Sequence, residues 1–198
     1  MIEIKMIKKT FGILTLLLIL LISCGHSYNR FYIGWPNAIQ KMKKVAVMPF
    51  DNLTAFPNAG MIISELFTSE LYSLGQFKVI DSLQIKKILE EKNIEIPLVI
   101  DRSFAQEIGA VLGVDGIFIG SVSEYWYRVR VQETREEEPA VGVNARLVDT
   151  SSGAVVWASS CSRSSYSVFA VERESLNRIA QIIVLKMVNN LAAAGKLP

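Results

Sequence analysis

At 198 residues the chain is long enough for one domain with its own core and a short appendage, without disulfide staples. Its 21 basic and 19 acidic residues are unevenly placed: Lys5, Lys8, Lys9 and Glu3 fall in residues 1–23, so the remainder carries 18 of each and is formally neutral. A neutral body lacks the electrostatic footprint of a nucleic-acid binder, and two cysteines cannot make a disulfide framework.

The chain opens on a positive segment, with three lysines in residues 1–9, of the kind a secretory precursor keeps in the cytoplasm. Residues 11–22 (FGILTLLLILLI) follow, 12 residues without a charge. As a helix they make about 18 Å, against ~30 Å of bilayer hydrocarbon, which suits a signal segment better than a permanent span. Leu21, Ile22, Ser23 and Cys24 close the run and resemble a bacterial lipobox. That chemistry needs a thiol, because the sulfur attacks a diacylglycerol donor and cleavage then frees an α-amine for a further acyl chain such as palmitate. Two or three chains hold firmly where one holds marginally. The reading is a signal peptide over residues 1–23, removed, with Cys24 as the lipid attachment site. Met6, followed by Lys8 and Lys9, is an alternative initiator to Met1. Gly25 rather than Asp after the cysteine resembles the outer-membrane pattern, with the domain facing the periplasm; in a Gram-positive source the anchor would hold the outer face of the plasma membrane.

Residues 24–42 read as a lipidated N-terminus and tether, with Tyr28, Phe31, Tyr32 and Trp35 but no period of 2 or 3.6. Such aromatics suit lipid headgroups, a neighbouring subunit or the chain's own domain. The folded domain is expected over residues 43–198. Residues 45–50 form a short apolar run read as a buried strand, ended by Asp51 and Asn52. Ile63, Leu66, Phe67, Leu71 and Leu74 recur at helical spacing, stopped by Gly75. Residues 77–80 make a second strand. Asp81 or Ser82 caps a helix with an inner face of Leu83, Ile85, Ile88 and Leu89; Asp101 or Ser103 caps another through Phe104, Ile108, Val111 and Leu112, closed by Gly113. Residues 116–131 form a long β-branched and aromatic strand, and 139–149 and 154–162 two more, joined by a turn at Gly153. Leu176, Ile179, Ala180, Ile183, Met187, Val188 and Leu191 make a final helical stripe. The fold class is α/β: one mixed β-sheet in βαβααβββα order, covered by helices.

Catalytic chemistry is hard to assemble from these residues. His26 is the single histidine and sits in the tether, which removes histidine-based nucleophile triads and metal motifs. There is no phosphate-binding glycine loop; Gly109, Gly113, Gly116 and Gly120 read as turns and close packing. Asp51, Asp81, Asp101 and Asp115 fall mostly where caps and turns belong. Cys161 reads as a small half-buried hydrophobe on a strand. The expectation is no enzyme, no cofactor and no metal. Residues 128–139 (RVRVQETREEEP) are the most charged stretch, either a solvated hairpin tip or a protein-docking surface made of Arg128, Arg130, Arg135, Glu136, Glu137 and Glu138.

Four segments carry a resemblance: 45–53 (VAVMPFDNL), 77–90 (FKVIDSLQIKKILE), 112–123 (LGVDGIFIGSVS) and 143–160 (VNARLVDTSSGAVVWASS). In this order they are similar to the CsgG-like superfamily of lipoproteins, which includes the curli secretion channel and the LpoB-type activators of penicillin-binding proteins. The resemblance implies a non-catalytic envelope protein working through protein–protein contacts in assembly or secretion, with self-assembly into rings as a family habit. It also implies that the transmembrane hairpins of the curli channel are missing. A membrane strand needs about 9–11 residues with an apolar lipid face, which residues 128–139 and 162–171 do not supply. An LpoB-like activator of a peptidoglycan synthase is the alternative, weakened by a tether of 18 residues that spans about 60 Å at most. An enzyme or small-ligand binder ranks third.

Overall fold

The computed structural model describes residues 27–97, 100–130, 136–164 and 174–196. The lipobox with Cys24 and the rest of the signal segment, along with Arg135, lie outside the described residues.

A seven-stranded mixed sheet forms the centre of the molecule. In chain order the elements are β1 (Ser27–Ile33), α1 (Pro36–Lys41), β2 (Lys44–Val47), β3 (Asp51–Asn52), α2 (Ala59–Leu74), β4 (Lys78–Ile80), α3 (Ser82–Glu91), α4 (Arg102–Leu112), β5 (Gly116–Arg130), β6 (Glu136–Asp149), β7 (Val155–Ser164) and α5 (Leu176–Ala194). The spatial order is β1-β7-β6-β5-β2-β4, with β3 also on β5. From β2 onward the chain follows the expected βαβααβββα order. β2 lies parallel to both β4 and β5, whereas β5, β6, β7 and β1 form antiparallel pairs.

β2 and β3 are one strand interrupted by Pro49, which has no N–H to give a ladder. Val47 pairs with Phe118, but Asp51 pairs with Ser121, so the interrupted side carries one extra residue. A second irregularity falls between Val122 and Glu124 and reverses which residues of β5 face which side.

The helices cover the two faces unequally. α2 and α5 seal one face over a core of Val47, Phe67, Phe118, Leu147, Trp157 and Ile183. α3 and α4 cover the other face over Ala46, Ile80, Ile85, Ile108, Ile117 and Ile119, at the β4–β2–β5 end of the sheet. Two helix starts are set by carboxylates. Asp81 accepts from the Gln84 N–H at 2.9 Å and Asp101 from the Phe104 N–H at 2.8 Å, satisfying donors that have no partner inside their helices. Gly113 closes α4 at φ +60, a conformation that L side chains resist.

Two sequence expectations change. The tether over 24–42 is structured from Ser27: residues 27–33 pair antiparallel with β7 along its whole length, Ser27 opposite Arg163 and Ile33 opposite Trp157. α1 then begins at Pro36, where a missing N–H costs nothing, and buries Ile39 in the core. On α3, Ser82, Ile85 and Leu89 are buried and Ile88 half-buried, but Leu83 is 70% exposed. Leu83 lies two residues from Ile85, about 200° around a helix, and so belongs to the opposite side.

Candidate interaction surfaces

Among the described residues no helix covers the far half of the α3–α4 face, and a groove of about 650 Å³ lies there. Its floor follows from register. Arg30 on β1 stands opposite Ser160 on β7, Ser160 opposite Asn144 on β6, Asn144 opposite Ser121 on β5, and Ser121 opposite Asp51 on β3. These five polar residues therefore form one row across the sheet, cationic at one end and anionic at the other, about 19 Å long at ~4.8 Å per strand. The neighbouring row runs through Tyr32, Ala158, Arg146 and Ile119. Ile96, Pro97 and Ile100 make the wall. Gly120 in the same lining has no room for a side chain, because a Cβ would lie 2.5 Å from the Phe50 ring and 2.6 Å from the Asn144 carbonyl.

The outer edge of β1 is a second surface. Tyr28 is 50% exposed, Phe31 and Tyr32 54% each, and Trp35 56%. Tyr28 and Tyr32 share the face of Arg30, whose guanidinium lies 5.7 Å from the Tyr28 ring centre, while Phe31 points to the other face.

Backbone register pairs the expected docking residues that fall on β5 and β6. Arg128 pairs with Glu138 and Arg130 with Glu136, with Glu137 between them opposite Val129. The backbone register thus places basic positions opposite acidic ones.

The candidate acids are structural in their contacts. Asp81 and Asp101 cap helices, and Asp115 accepts from the Lys43 and Lys44 N–H groups at 2.8 and 2.9 Å. Hydrogen bonds from the Phe104 N–H and then Ser103 hold the Asp101 carboxyl below its ordinary range. Asp51 alone of the four lines the groove. Cys161 is fully rather than half buried, and its thiol donates to Asn29 Oδ1 at 2.9 Å. Burial raises its pKa, outweighing the Ser159 hydroxyl and the Lys186 charge, the reverse of a reactive thiolate. Among the described residues no group of three or more His, Cys, Asp or Glu could hold a metal ion, and no helix is long and apolar enough to cross a membrane.

Across residues 36–173 the sequence matches the family model described as curli production assembly/transport component CsgG. The chain belongs to the CsgG family. Comparison with curated proteins by sequence gave no match. Among solved structures, this CsgG-family chain is similar to the PelC dodecamer from Paraburkholderia phytofirmans, with a TM-score of 0.62 and 26% identity, covering 84% of this chain and 98% of PelC. It is also similar to lipoprotein GNA1162 from Neisseria meningitidis, with a TM-score of 0.55 and 18% identity over 76% of this chain and 99% of that one, a likeness of fold. The LpoB C-terminal domain from Escherichia coli gives a TM-score of 0.45 and 17% identity over 67% of this chain and 98% of the domain, too distant to bear on role. The β1 edge and the groove went unseen in the sequence. The density of aromatics at Tyr28, Phe31, Tyr32 and Trp35 was the available signal for the edge; the groove depends on strand order.

Proposed function

We propose that this CsgG-family protein is a lipid-anchored, non-catalytic component of the bacterial envelope that binds other proteins during assembly or secretion at the outer membrane, and does so as a homo-oligomer. Residues 1–23 act as the signal peptide and Cys24 carries the lipid. The observation that carries the reading is the uncovered sheet face. A folded domain with room for another helix there instead presents a row of Arg30, Ser160, Asn144, Ser121 and Asp51, whose donors and acceptors suit a polypeptide partner. Family membership supports the assembly or secretion role, and likeness to a dodecamer supports self-association. The activator reading loses ground, because β1 begins three residues after Cys24 and leaves almost no reach.

A photo-crosslinking residue at Asn144, compared with one at exposed Lys86 on α3, tests this in cells. The expected result is protein adducts at position 144 that are sparse at 86, dominated by secretion or assembly components. Capture of a peptidoglycan synthase would favour the activator instead, and equal yields at the two positions would remove the groove from the account. In the same cells, Cys24→Ser should move the protein out of the acylated membrane fraction.

A further inference from the structure

We infer that the outer edge of β1 is a second membrane contact, laid along the headgroups of the same bilayer that holds the lipid. This rests on the acylation of Cys24 proposed above.

The first argument is reach. The three peptide units from Cys24 to Ser27 span at most about 10 Å. A lipid at Cys24 therefore holds the start of β1 at the bilayer surface and leaves the domain little freedom to stand away.

The second is composition along the edge. From Tyr28 to Trp35 the chain covers about 23 Å and exposes Tyr28, Phe31, Tyr32 and Trp35, each half or more open. Because Tyr28 and Tyr32 lie on one face of the strand and Phe31 on the other, a bilayer plane meeting the edge end-on touches side chains from both. Tyrosine and tryptophan are the side chains that settle at membrane interfaces, one end apolar and the other hydrogen-bonding.

The third is charge. Between Cys24 and Trp35 there is no acidic residue, and Arg30 on the edge strand is basic. That matches an anionic headgroup layer.

The opposite orientation, with the strand ends toward the membrane, is less suitable. Ser27 is level with Arg163, Val141 and Tyr125, and β5 continues five residues beyond, to Arg130. A plane across that end would meet the charged hairpin first.

The test uses the full chain purified with its lipid and reconstituted in phosphatidylethanolamine vesicles containing a quarter phosphatidylglycerol and a small share of lipid brominated high on the acyl chain. Trp157 is buried and serves as the internal reference, and the partly exposed Trp126 is replaced by Phe in every sample. The expected result is tryptophan quenching by the brominated lipid, most of it lost in Trp35→Phe, and reduced roughly twofold or more when phosphatidylcholine replaces phosphatidylglycerol. Protein that floats with the vesicles while Trp35 is open to aqueous iodide and untouched by the brominated lipid would overturn the inference and leave the anchor standing. Trp35 shielded from both, with shielding lost on dilution, would mean that a second copy covers the edge, and would overturn it too. Failure to float, with an unacylated mass, would defeat the anchor, and the docking with it.

Discussion

Asp149 shows how single side chains hold the β6–β7 turn. Its Oδ1 accepts from Ser151 Oγ at 2.6 Å, the Ser152 N–H at 2.7 Å and Ser152 Oγ at 2.7 Å, while Gly153 takes φ +67 to complete the reversal. Burial alone would raise the carboxyl, but the Ser151 and Ser152 donors outweigh it and hold it below its ordinary range. A depressed folded pKa contributes stability above the unfolded value of about 3.9, lost as pH falls through the folded value. Asp149→Ala is therefore expected to cost about 1 kcal/mol at neutral pH, with the deficit shrinking below about pH 4. Urea titrations of both proteins across that range check this; a deficit independent of pH would show that the charge plays no part. Cys161 is the contrasting case. In the sequence it reads as a half-buried residue on a strand, whereas it is buried, and its partner Asn29 lies 132 positions away, out of sight before the sheet order is known.

At the scale of elements, α2 joins the sheet through Phe67. Its ring lies 5.6 Å from Phe50, 5.2 Å from Phe118 and 6.4 Å from Trp157, so one helix residue touches three strand or strand-end aromatics. Truncation to alanine is expected to cost about 3–5 kcal/mol, a large part of the ~5–15 kcal/mol that holds such a domain. Tyr72→Ala on the exposed side of the same helix should stay within about 0.5 kcal/mol. Denaturant midpoints at unchanged slope would measure both, and similar losses would mean that α2 is held some other way. α2, α4 and α5 were legible because each buries a full stripe and ends or begins on an identifiable cap. β1 was not. An edge strand with Asn29 and Ile33 only half-buried has no buried face to impose a period of two, and its aromatics, which mark it in the structure, break the pattern in the sequence. Leu83 is the converse case: apolar and near a helix start, it stands about 200° around α3 from Ile85 and so faces solvent.

For the molecule as a whole, the question is whether an oligomer of this chain could make a pore. The antiparallel half of the sheet could in principle extend into a membrane through β5 and β6. Ala140 and Tyr125 are still buried in the domain, and among the described residues three register pairs follow beyond Tyr127 opposite Pro139, ending at Arg130 and Glu136. At ~3.4 Å per residue that is about 10 Å of hairpin, whereas a bilayer-spanning strand needs about 9–11 residues. The sequence there is Arg-Val-Arg on β5 and three consecutive glutamates on β6, and charge on a lipid-facing strand at the bilayer midplane costs about 2–4 kcal/mol for each arginine. Protein reconstituted into vesicles loaded with a small self-quenching dye is therefore expected to leave the dye inside, at any oligomer size the same sample shows by light scattering. Release that rises with protein density would require strands from outside the described residues to enter the bilayer. Retained dye would mean that the protein makes no pore by itself.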